Sequence, residues 1–196
     1  MPPVRIQADQ GTGPRQRRRV DARRNHDSVL EAASEMFAAR GWKATIPQIA
    51  ARAGVGKATV YRSYPTKAAL FAAVAQRELA WFEQRAGEAA QAPDPGQALF
   101  DLVRDLLVRL SRQRTLGHLL RTEPVVGAKD SAERIVAGLG RTFQRAQQAG
   151  AVRPEVTVAD LQALIGGSAR QLAAYGAEDR EQWQRLATLI CRAIAP

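Results

Sequence analysis

The sequence predicts an all-α protein with a small N-terminal helical domain and a larger helical C-terminal domain. Apolar residues recur every three or four positions through most of the 196 residues, which is the period of an amphipathic helix. No segment shows the apolar and polar alternation of a strand. Glycines and prolines, often beside Ser, Thr or Asp, separate the periodic segments, as expected at helix ends. We expect about nine helices, with a flexible basic arm at 1–21 and domains at 22–68 and 69–196.

The arm is predicted from five glycines and prolines among the first fourteen residues, which contain few large apolar side chains. It ends in a basic cluster that could follow phosphates, enter a minor groove, or remain a solvated tail. The arginines of this cluster are Arg17, Arg18, Arg19, Arg23 and Arg24. A first helix is then expected to begin within 22–26 and to run to Arg40, with Leu30 and Phe37 facing inward.

Residues 45–67 predict two short helices joined by a tight turn, followed by the start of a third helix. Thr45 and Gln48, three positions apart, fit a capping box at the start of the first short helix. Gly54 ends that helix where a left-handed backbone is needed, and Gly56 opens the second short helix. Two short helices joined by a glycine-containing turn form a helix-turn-helix unit, whose second helix enters the DNA major groove.

The run from Val29 to Val74, VLEAASEMFAARGWKATIPQIAARAGVGKATVYRSYPTKAALFAAV, resembles the N-terminal domain of the TetR family of bacterial transcriptional regulators. The matching residues keep the family's spacing without a gap. They are Leu30, Ala32, Ala33, Phe37, Gly41, Thr45, Ile49, Ala50, Ala53, Gly54, Val55, Thr59, Tyr61, Tyr64, Lys67 and Leu70. Two positions depart from the pattern: Gly56 replaces a usual serine cap, and Ser63 replaces a common histidine. Neither departure changes the expected fold.

The resemblance implies a set of DNA contacts in and around the second short helix. The expected DNA-binding residues are Thr45, Lys57, Ala58, Thr59, Tyr61, Arg62, Ser63 and Lys67. Thr45, Tyr61 and Lys67 are expected to contact phosphates, and the other five to face base edges. For each residue the alternative is a solvated side chain that makes no DNA contact.

The C-terminal domain is predicted to contain six helices. A long helix from Lys67 to about Ala89 links it to the DNA-binding domain, and a short helix is expected around 115–121. Capped helix starts are predicted at Asp94, Asp130 and Thr157, and the last helix is expected to run from about Asp179 to Ile194. In the resembled family the last two long helices pair with their copies, which implies a homodimer. Alternatively, these helices only complete the core of the monomer.

The resemblance also implies a pocket for a small apolar or amphipathic effector between the linking helix and the C-terminal helices. The candidate lining residues are Trp81, Phe82, Leu106, Leu110, His118, Leu119, Phe143, Leu164 and Arg170. Leucine and aromatic stripes also form ordinary cores, so a core without a ligand remains the alternative.

The charge distribution favours a double-stranded DNA partner. The chain carries a net charge of +10, with a pI near 10.9. Residues 1–64 contain 12 Lys or Arg against 5 Asp or Glu, whereas residues 65–196 contain 17 against 14. The basic excess therefore accompanies the predicted DNA-binding end, where it would attract a polyanion.

Several function classes are disfavoured by residues that the chain lacks. Cys191 is its only cysteine, so no intrachain disulfide can form, which fits a reducing cytoplasm. There are two histidines, and no metal, phosphate-loop or nucleophile motif is present, so we expect no cofactor, no metal and no enzyme. No apolar run approaches 18 residues, so we expect no membrane span, and no secretory signal is expected.

The sequence therefore predicts a cytoplasmic, nucleoid-associated regulator that binds a palindromic operator as a homodimer. The resemblance implies a ligand-responsive repressor. The alternative is an architectural DNA-binding protein that has no effector.

Overall fold

The computed structural model describes residues 14–112, 127–175 and 179–196. These ranges contain eight α-helices, one short 3-10 helix and no strand, so the predicted all-α class is confirmed. None of these helices combines the length and the apolar character needed to cross a lipid bilayer. In chain order the elements are α1 (Pro14–Arg40), η1 (Gly41–Lys43), α2 (Ile46–Arg52), α3 (Lys57–Ser63), α4 (Lys67–Gln91), α5 (Pro95–Arg112), α6 (Ala128–Gln148), α7 (Val158–Ala174) and α8 (Arg180–Ile194). The short helix predicted around 115–121 lies outside the described residues.

The helices α1, α2, α3 and the first turns of α4 share one apolar cluster, which we call the N-terminal core. Its fully buried members include Ala33, Ile49, Val60, Leu70 and Ala75, so every one of these four helices contributes to it. Leu30 and Phe37 of α1, which are predicted to face inward, also belong to it, so that prediction is confirmed. This core supports the helix-turn-helix unit from behind.

The first helix begins earlier than the sequence predicts. It starts at Pro14, and not within 22–26, so the last part of the expected flexible arm is helical. Proline suits the first turn of a helix, and the arginines and glutamine that follow are good helix formers, which explains the early start. All side chains from 21 to 28 are exposed, and Val29 is the first buried one among those described. Residues 1–13 of the predicted arm lie outside the described residues.

The linking helix α4 enters a second apolar cluster, which we call the C-terminal core. Phe82 of α4 packs there with leucines of α5, Phe143 of α6, Leu161 of α7 and Trp183 of α8. The same helix supplies Leu70, Phe71 and Val74 to the N-terminal core. One continuous helix is therefore built into both cores.

Most of the predicted helix starts are confirmed by cap hydrogen bonds, and one is wrong. Asp94, Thr157 and Asp179 accept hydrogen bonds from backbone N–H groups two or three residues on, at 2.9, 3.2 and 2.8 Å. Helix α6, however, begins at Ala128, ahead of the predicted cap Asp130. Gly127 occupies the N-cap position, and its carbonyl accepts a hydrogen bond from the N–H of Ser131 at 3.0 Å.

Helices α4 and α6 approach each other closely where Gly138 meets Ala86. A Cβ atom added to Gly138 would lie 2.8 Å from the Cβ of Ala86 and 3.2 Å from its carbonyl carbon and oxygen. The neighbour is backbone, which cannot rotate aside as a flexible side chain can. The contact therefore requires glycine at position 138, whereas a Cβ at Gly140 in the same helix would meet no atom within 4 Å.

We expect Gly138→Ala to destabilise the protein and Gly140→Ala to leave it equally or more stable. An alanine inside a helix is generally favoured over glycine by about 0.5–1 kcal/mol, whereas overpacking costs about 1–3 kcal/mol. Thermal unfolding of the two variants beside the parent measures the difference. Equal midpoints for both variants would contradict the close approach of α4 and α6.

Candidate nucleic-acid interface

Helix α3 presents a continuous exposed surface. The side chains of Lys57, Ala58, Tyr61, Arg62 and Ser63 are exposed, and that of Thr59 is half-buried. On the opposite side, Val60 is fully buried and Tyr64, directly after the helix, is nearly so. The six residues predicted on this helix therefore share one accessible surface, and the buried side fixes their orientation.

The turn before α3 is fixed by backbone geometry. Gly54 has a φ angle of +69°, a conformation that most L-residues avoid. The N–H of Val55 then donates to the carbonyl of Ala50 at 3.0 Å, and the N–H of Thr59 donates to the carbonyl of Gly56 at 2.9 Å. The direction of α3 relative to α2 is therefore set by the turn itself, as the sequence predicts.

The two predicted phosphate contacts outside α3 stand at helix starts. Thr45 is exposed at the N-cap of α2, and its N–H donates to Oε1 of Gln48 at 3.1 Å, which is one half of the predicted capping box. Lys67 is the first residue of α4, after Thr66, whose hydroxyl accepts from the N–H of Ala69 at 3.0 Å. Helix starts carry free N–H groups that favour anions, so both positions suit a phosphate.

Trp42 is a residue of this surface that sequence reasoning did not identify. The ammonium of Lys67 lies 4.4 Å from the centroid of the indole ring and donates a hydrogen bond to the Trp42 carbonyl. The indole in turn packs against Phe37 and Phe71, with ring centroids 6.4 and 5.9 Å away. Trp42 therefore holds Lys67 in place at the edge of the N-terminal core. Lys67 is 25 positions away in sequence, so only the fold reveals this pairing.

His26 and Tyr64 anchor the end of α3 to α1. The Tyr64 hydroxyl lies 2.9 Å from Nδ1 of His26, and the two rings stack with centroids 5.7 Å apart. Burial raises the pKa of the Tyr64 phenol, and the nearby Arg77 only partly offsets this effect. The phenol therefore stays protonated at neutral pH and keeps its hydrogen bond. His26 acts as a positioning partner, a role that no local pattern predicts because Tyr64 is 38 positions away.

The basic start of α1 runs beside the end of α3. Asp21 and His26 of α1 face Thr59 and Arg62 of α3 across a polar cleft of about 390 Å³. Arg23 and Arg24 are exposed on this part of α1. The other three arginines of the predicted basic cluster, at 17–19, fall in the first two turns of the same helix. Residues 21–26 of α1 therefore run beside α3, with Arg23 and Arg24 outside the face of α1 that lines the cleft.

The structure brings together five of the nine candidate effector residues. Phe82, Leu106 and Phe143 are buried in the C-terminal core, and Trp81 and Leu110 pack against that core. Two other candidates, Leu164 and Arg170, are exposed on α7 and stand apart from these five. His118 and Leu119 lie outside the described residues.

Helices α7 and α8 carry an apolar surface of their own. Leu164 is 38% exposed and Leu189 is 54% exposed. Between the helices lies a groove of about 420 Å³ whose lining includes Gly167, Leu172 and Leu189. Two small residues of α7, Gly167 and Ser168, therefore line a surface groove.

The remaining polar chemistry of the described ranges offers no metal site and no reactive thiol. Within these ranges, no three His, Cys, Asp or Glu side chains are grouped so that they could hold a metal ion. Cys191 packs against the C-terminal core, and burial raises the pKa of its thiol. A raised pKa keeps the thiol protonated and unreactive.

Comparison with known proteins identifies both halves of the chain. The family model for bacterial regulatory proteins of the tetR family matches residues 29–74, and the model for the C-terminal domain of SbtR-like transcriptional regulators matches residues 94–196. No curated protein sequence matches the chain.

Similar solved structures cover almost the whole chain. A TetR transcription regulatory protein from Mycobacterium vanbaalenii is 34% identical, with 91% of this chain and 99% of that protein covered and a TM-score of 0.70. A TetR transcriptional regulator from Streptomyces coelicolor is 27% identical, with 87% and 98% covered and a TM-score of 0.69. The ketosteroid regulator KstR2 of Mycobacterium tuberculosis, at 18% identity, 89% and 95% coverage and a TM-score of 0.66, shares the fold.

We expect Tyr64→Phe to lower the free energy of unfolding by about 0.5–1.5 kcal/mol, because it removes the hydrogen bond to His26. Tyr61→Phe is the matched control, since Tyr61 is 46% exposed on the same helix, and its effect should stay within about 0.5 kcal/mol. Denaturant titrations of both variants give these values. An equal loss in the two variants would show that the anchor between α1 and α3 contributes nothing specific.

Proposed function

Since the chain belongs to the TetR family of bacterial regulatory proteins, we propose that it is a ligand-responsive repressor that binds a palindromic operator as a homodimer in the cytoplasm. The observation that carries this proposal is the exposed surface of α3, which the Gly54 turn and the Tyr64–His26 anchor hold in one orientation. A helix presented in this way fits the DNA major groove.

The proposed DNA contacts follow from the position of each side chain. We propose that Lys57, Thr59 and Arg62, with Ala58 and Ser63, face base edges from α3. Arginine and lysine donate to guanine O6 and N7, and the methyl groups of threonine and alanine pack against a thymine methyl. We further propose that Thr45, Tyr61 and Lys67 contact phosphates on either side, which fixes the register of α3 without reading sequence.

We propose that the basic start of α1 contacts phosphates and does not enter a minor groove. The helical conformation supports this choice, because a helix is about 10–12 Å wide whereas the minor groove of B-DNA is about 6 Å wide. Arg23 and Arg24 are exposed on the same part of α1, outside the face that lines the cleft with α3, so their side chains are open to a phosphate. Their contribution would be independent of sequence and sensitive to salt.

We propose that α7 and α8 form the homodimer interface. The exposed leucines at 164 and 189, together with the groove lined by small residues, provide an apolar surface that a second copy would cover. A helix-turn-helix dimer presents its two recognition helices to half-sites about one DNA turn apart, which is why a palindrome is expected.

We propose that a small apolar or amphipathic effector binds beside α4 in the C-terminal core. Trp81, Phe82, Leu106, Leu110 and Phe143 converge there, and α4 continues from this site into the N-terminal core. An effector shifts the population toward a state with lower DNA affinity only if it binds that state more tightly. In the proposed state of lower DNA affinity, α4 has a different orientation from the one in this structure.

Selection of bound duplexes from a random DNA pool tests the proposed function. We expect an inverted repeat to be enriched, with half-site centres about 10 base pairs apart. The enriched duplex then serves to screen small amphipathic compounds for release of the protein. Binding without an enriched motif would favour an architectural protein, and the absence of any duplex binding would reject the DNA-binding proposal.

On the selected duplex we expect Lys67→Met to weaken binding to all sequences and to reduce the salt slope of log K by about 1.8, because each subunit of the dimer loses one phosphate contact, at about 0.9 per contact. Methionine keeps an aliphatic stem against Trp42. We expect Arg62→Ala to relax the preference at one base pair, at a cost of about 1–3 kcal/mol. Arg141→Met is the control, since Arg141 is exposed on α6 about 20 Å along the helix from Ala128, which packs against the N-terminal core, and its loss should leave affinity and salt slope unchanged.

We expect Leu189→Glu to shift the protein toward monomer and to weaken operator binding, because a charge would be buried in the proposed interface. Val136→Glu is the control, since Val136 is 47% exposed on α6 and does not line the groove between α7 and α8. Sedimentation velocity measures the association state of both variants. A dimer of Leu189→Glu as stable as the parent would place the interface elsewhere.

A further inference from the structure

A buried carboxylate lies at the junction between the two cores. Glu78 is fully buried, and no other acidic or basic residue is buried among those described. It stands on α4 between Ala75, the last α4 residue of the N-terminal core, and Phe82, the first buried α4 residue of the C-terminal core. The apolar surface of α4 is therefore interrupted by one charge at the point where it passes from one core to the other.

Arg109 of α5 neutralises this carboxylate through two parallel hydrogen bonds. Its Nε donates to Oε2 of Glu78 at 2.6 Å, and its Nη2 donates to Oε1 at 2.9 Å. The same guanidinium lies over the ring of Trp81, with its carbon 4.8 Å from the centroid. Arg109 thus grips two positions on α4, one through charge and one through an aromatic face.

Arg77 connects the same point to the DNA-binding bundle. Its Nη2 lies 3.4 Å from the carbonyl oxygen of Leu30 in α1 and 3.9 Å from Oε1 of Glu78. Its buried Nε finds no hydrogen-bond partner among the residues that the structure describes. The contact with Glu78 is too long for a strong hydrogen bond, so Arg77 does not replace Arg109 as the partner of the carboxylate. A chain of polar contacts therefore runs from α1 through Glu78 to α5.

The pair between Glu78 and Arg109 is directional, and the contacts around it are not. Apolar packing changes little when one helix slides or rotates slightly, because hydrophobic attraction depends on area and has no preferred direction. A two-point hydrogen bond between charges loses most of its energy under the same movement and leaves a buried carboxylate without a partner. Among the contacts around Glu78, this pair restricts α4 and α5 most strongly to one relative orientation.

We propose that Glu78 and Arg109 are positioning residues that fix the orientation of α4 relative to α5 and thereby set the distance between the two recognition helices of the dimer. This inference rests on the proposed function, because that distance has a consequence only in a dimer that binds two half-sites. The pair touches neither DNA nor any base-reading side chain. It acts through α4, whose first turns belong to the core that supports α3.

A second ion pair between the same two helices provides the control. Nε of Arg85 on α4 donates to Oδ2 of Asp105 on α5 at 2.6 Å. The side chains are 23% and 41% exposed, so water can replace either partner. Exposed pairs of this kind restrain helices weakly. Asp105→Asn therefore tests the effect of removing a carboxylate between α4 and α5 away from the junction.

The experiment compares Glu78→Gln with Asp105→Asn in two measurements. First, spin labels on Ser63→Cys, in a Cys191→Ser background, report the distance between the two α3 helices of the free dimer. We expect a broader or shifted distance distribution for Glu78→Gln and the parental distribution for Asp105→Asn. Second, the unlabelled proteins are titrated with the selected operator and with a duplex that has one extra base pair between the half-sites. We expect the affinity ratio of the two duplexes to fall about tenfold for Glu78→Gln only.

Arg109→Lys provides a second variant if Glu78→Gln does not fold. Lysine keeps the positive charge but cannot donate two parallel hydrogen bonds. The carboxylate therefore stays neutralised, while the restraint on its orientation is lost. Parental distance distributions and affinity ratios in every folded variant would overturn the positioning role. If the parent binds no duplex, the proposed function fails, and the label distances alone still decide whether the pair positions α3.

Discussion

The structure depends on the fact that one helix belongs to two hydrophobic cores. Helix α4 has 25 residues, and a helix of that length extends about 37 Å. Its first turns bury Leu70, Phe71 and Val74 with α1–α3, and Phe82 is buried among α5–α8. Because the backbone hydrogen bonds of a helix resist bending, a tilt imposed at one end of α4 is transferred to the other. A single stiff helix joins the two cores. A movement in the C-terminal half can therefore be transmitted through α4 to α3.

The surface of α3 owes its order to contacts on its hidden side. Val60 is buried in the N-terminal core, and the Tyr64 hydroxyl is hydrogen-bonded to His26 of α1. Lys67 is similarly held against Trp42. Side chains whose backbone and neighbours are fixed in this way lose little conformational entropy on binding, so more of the contact energy remains available as affinity. The exposed residues of α3 are thus positioned through Val60 and Tyr64, which are buried behind them.

The sequence predicts what local chemistry determines and misses what distant partners determine. The Gly54 turn and the caps at Asp94 and Thr157 depend on residues within a few positions, and each is found where expected. The start of α1 was misplaced because the glycines and prolines of the first fourteen residues outweighed the helix-forming arginines that follow. Pairs such as Lys67 with Trp42, or Glu78 with Arg109, join positions 25 and 31 residues apart, and no periodic pattern marks them.

The close contact between Gly138 and Ala86 limits the helix movements that the proposed effector can cause. Because the backbones of the two helices touch, one helix cannot slide along the other without a steric clash with a side chain. Helices α4 and α6 therefore behave as one rigid unit. Ala128, at the start of α6, also packs against the N-terminal core. The rigid unit therefore contacts the DNA-binding bundle in two places, through the first turns of α4 and through Ala128. A rotation of α4 must then take place at its interface with α5. Compounds that bind between α4 and α5 would change the orientation of α4, whereas compounds that bind between α4 and α6 would not.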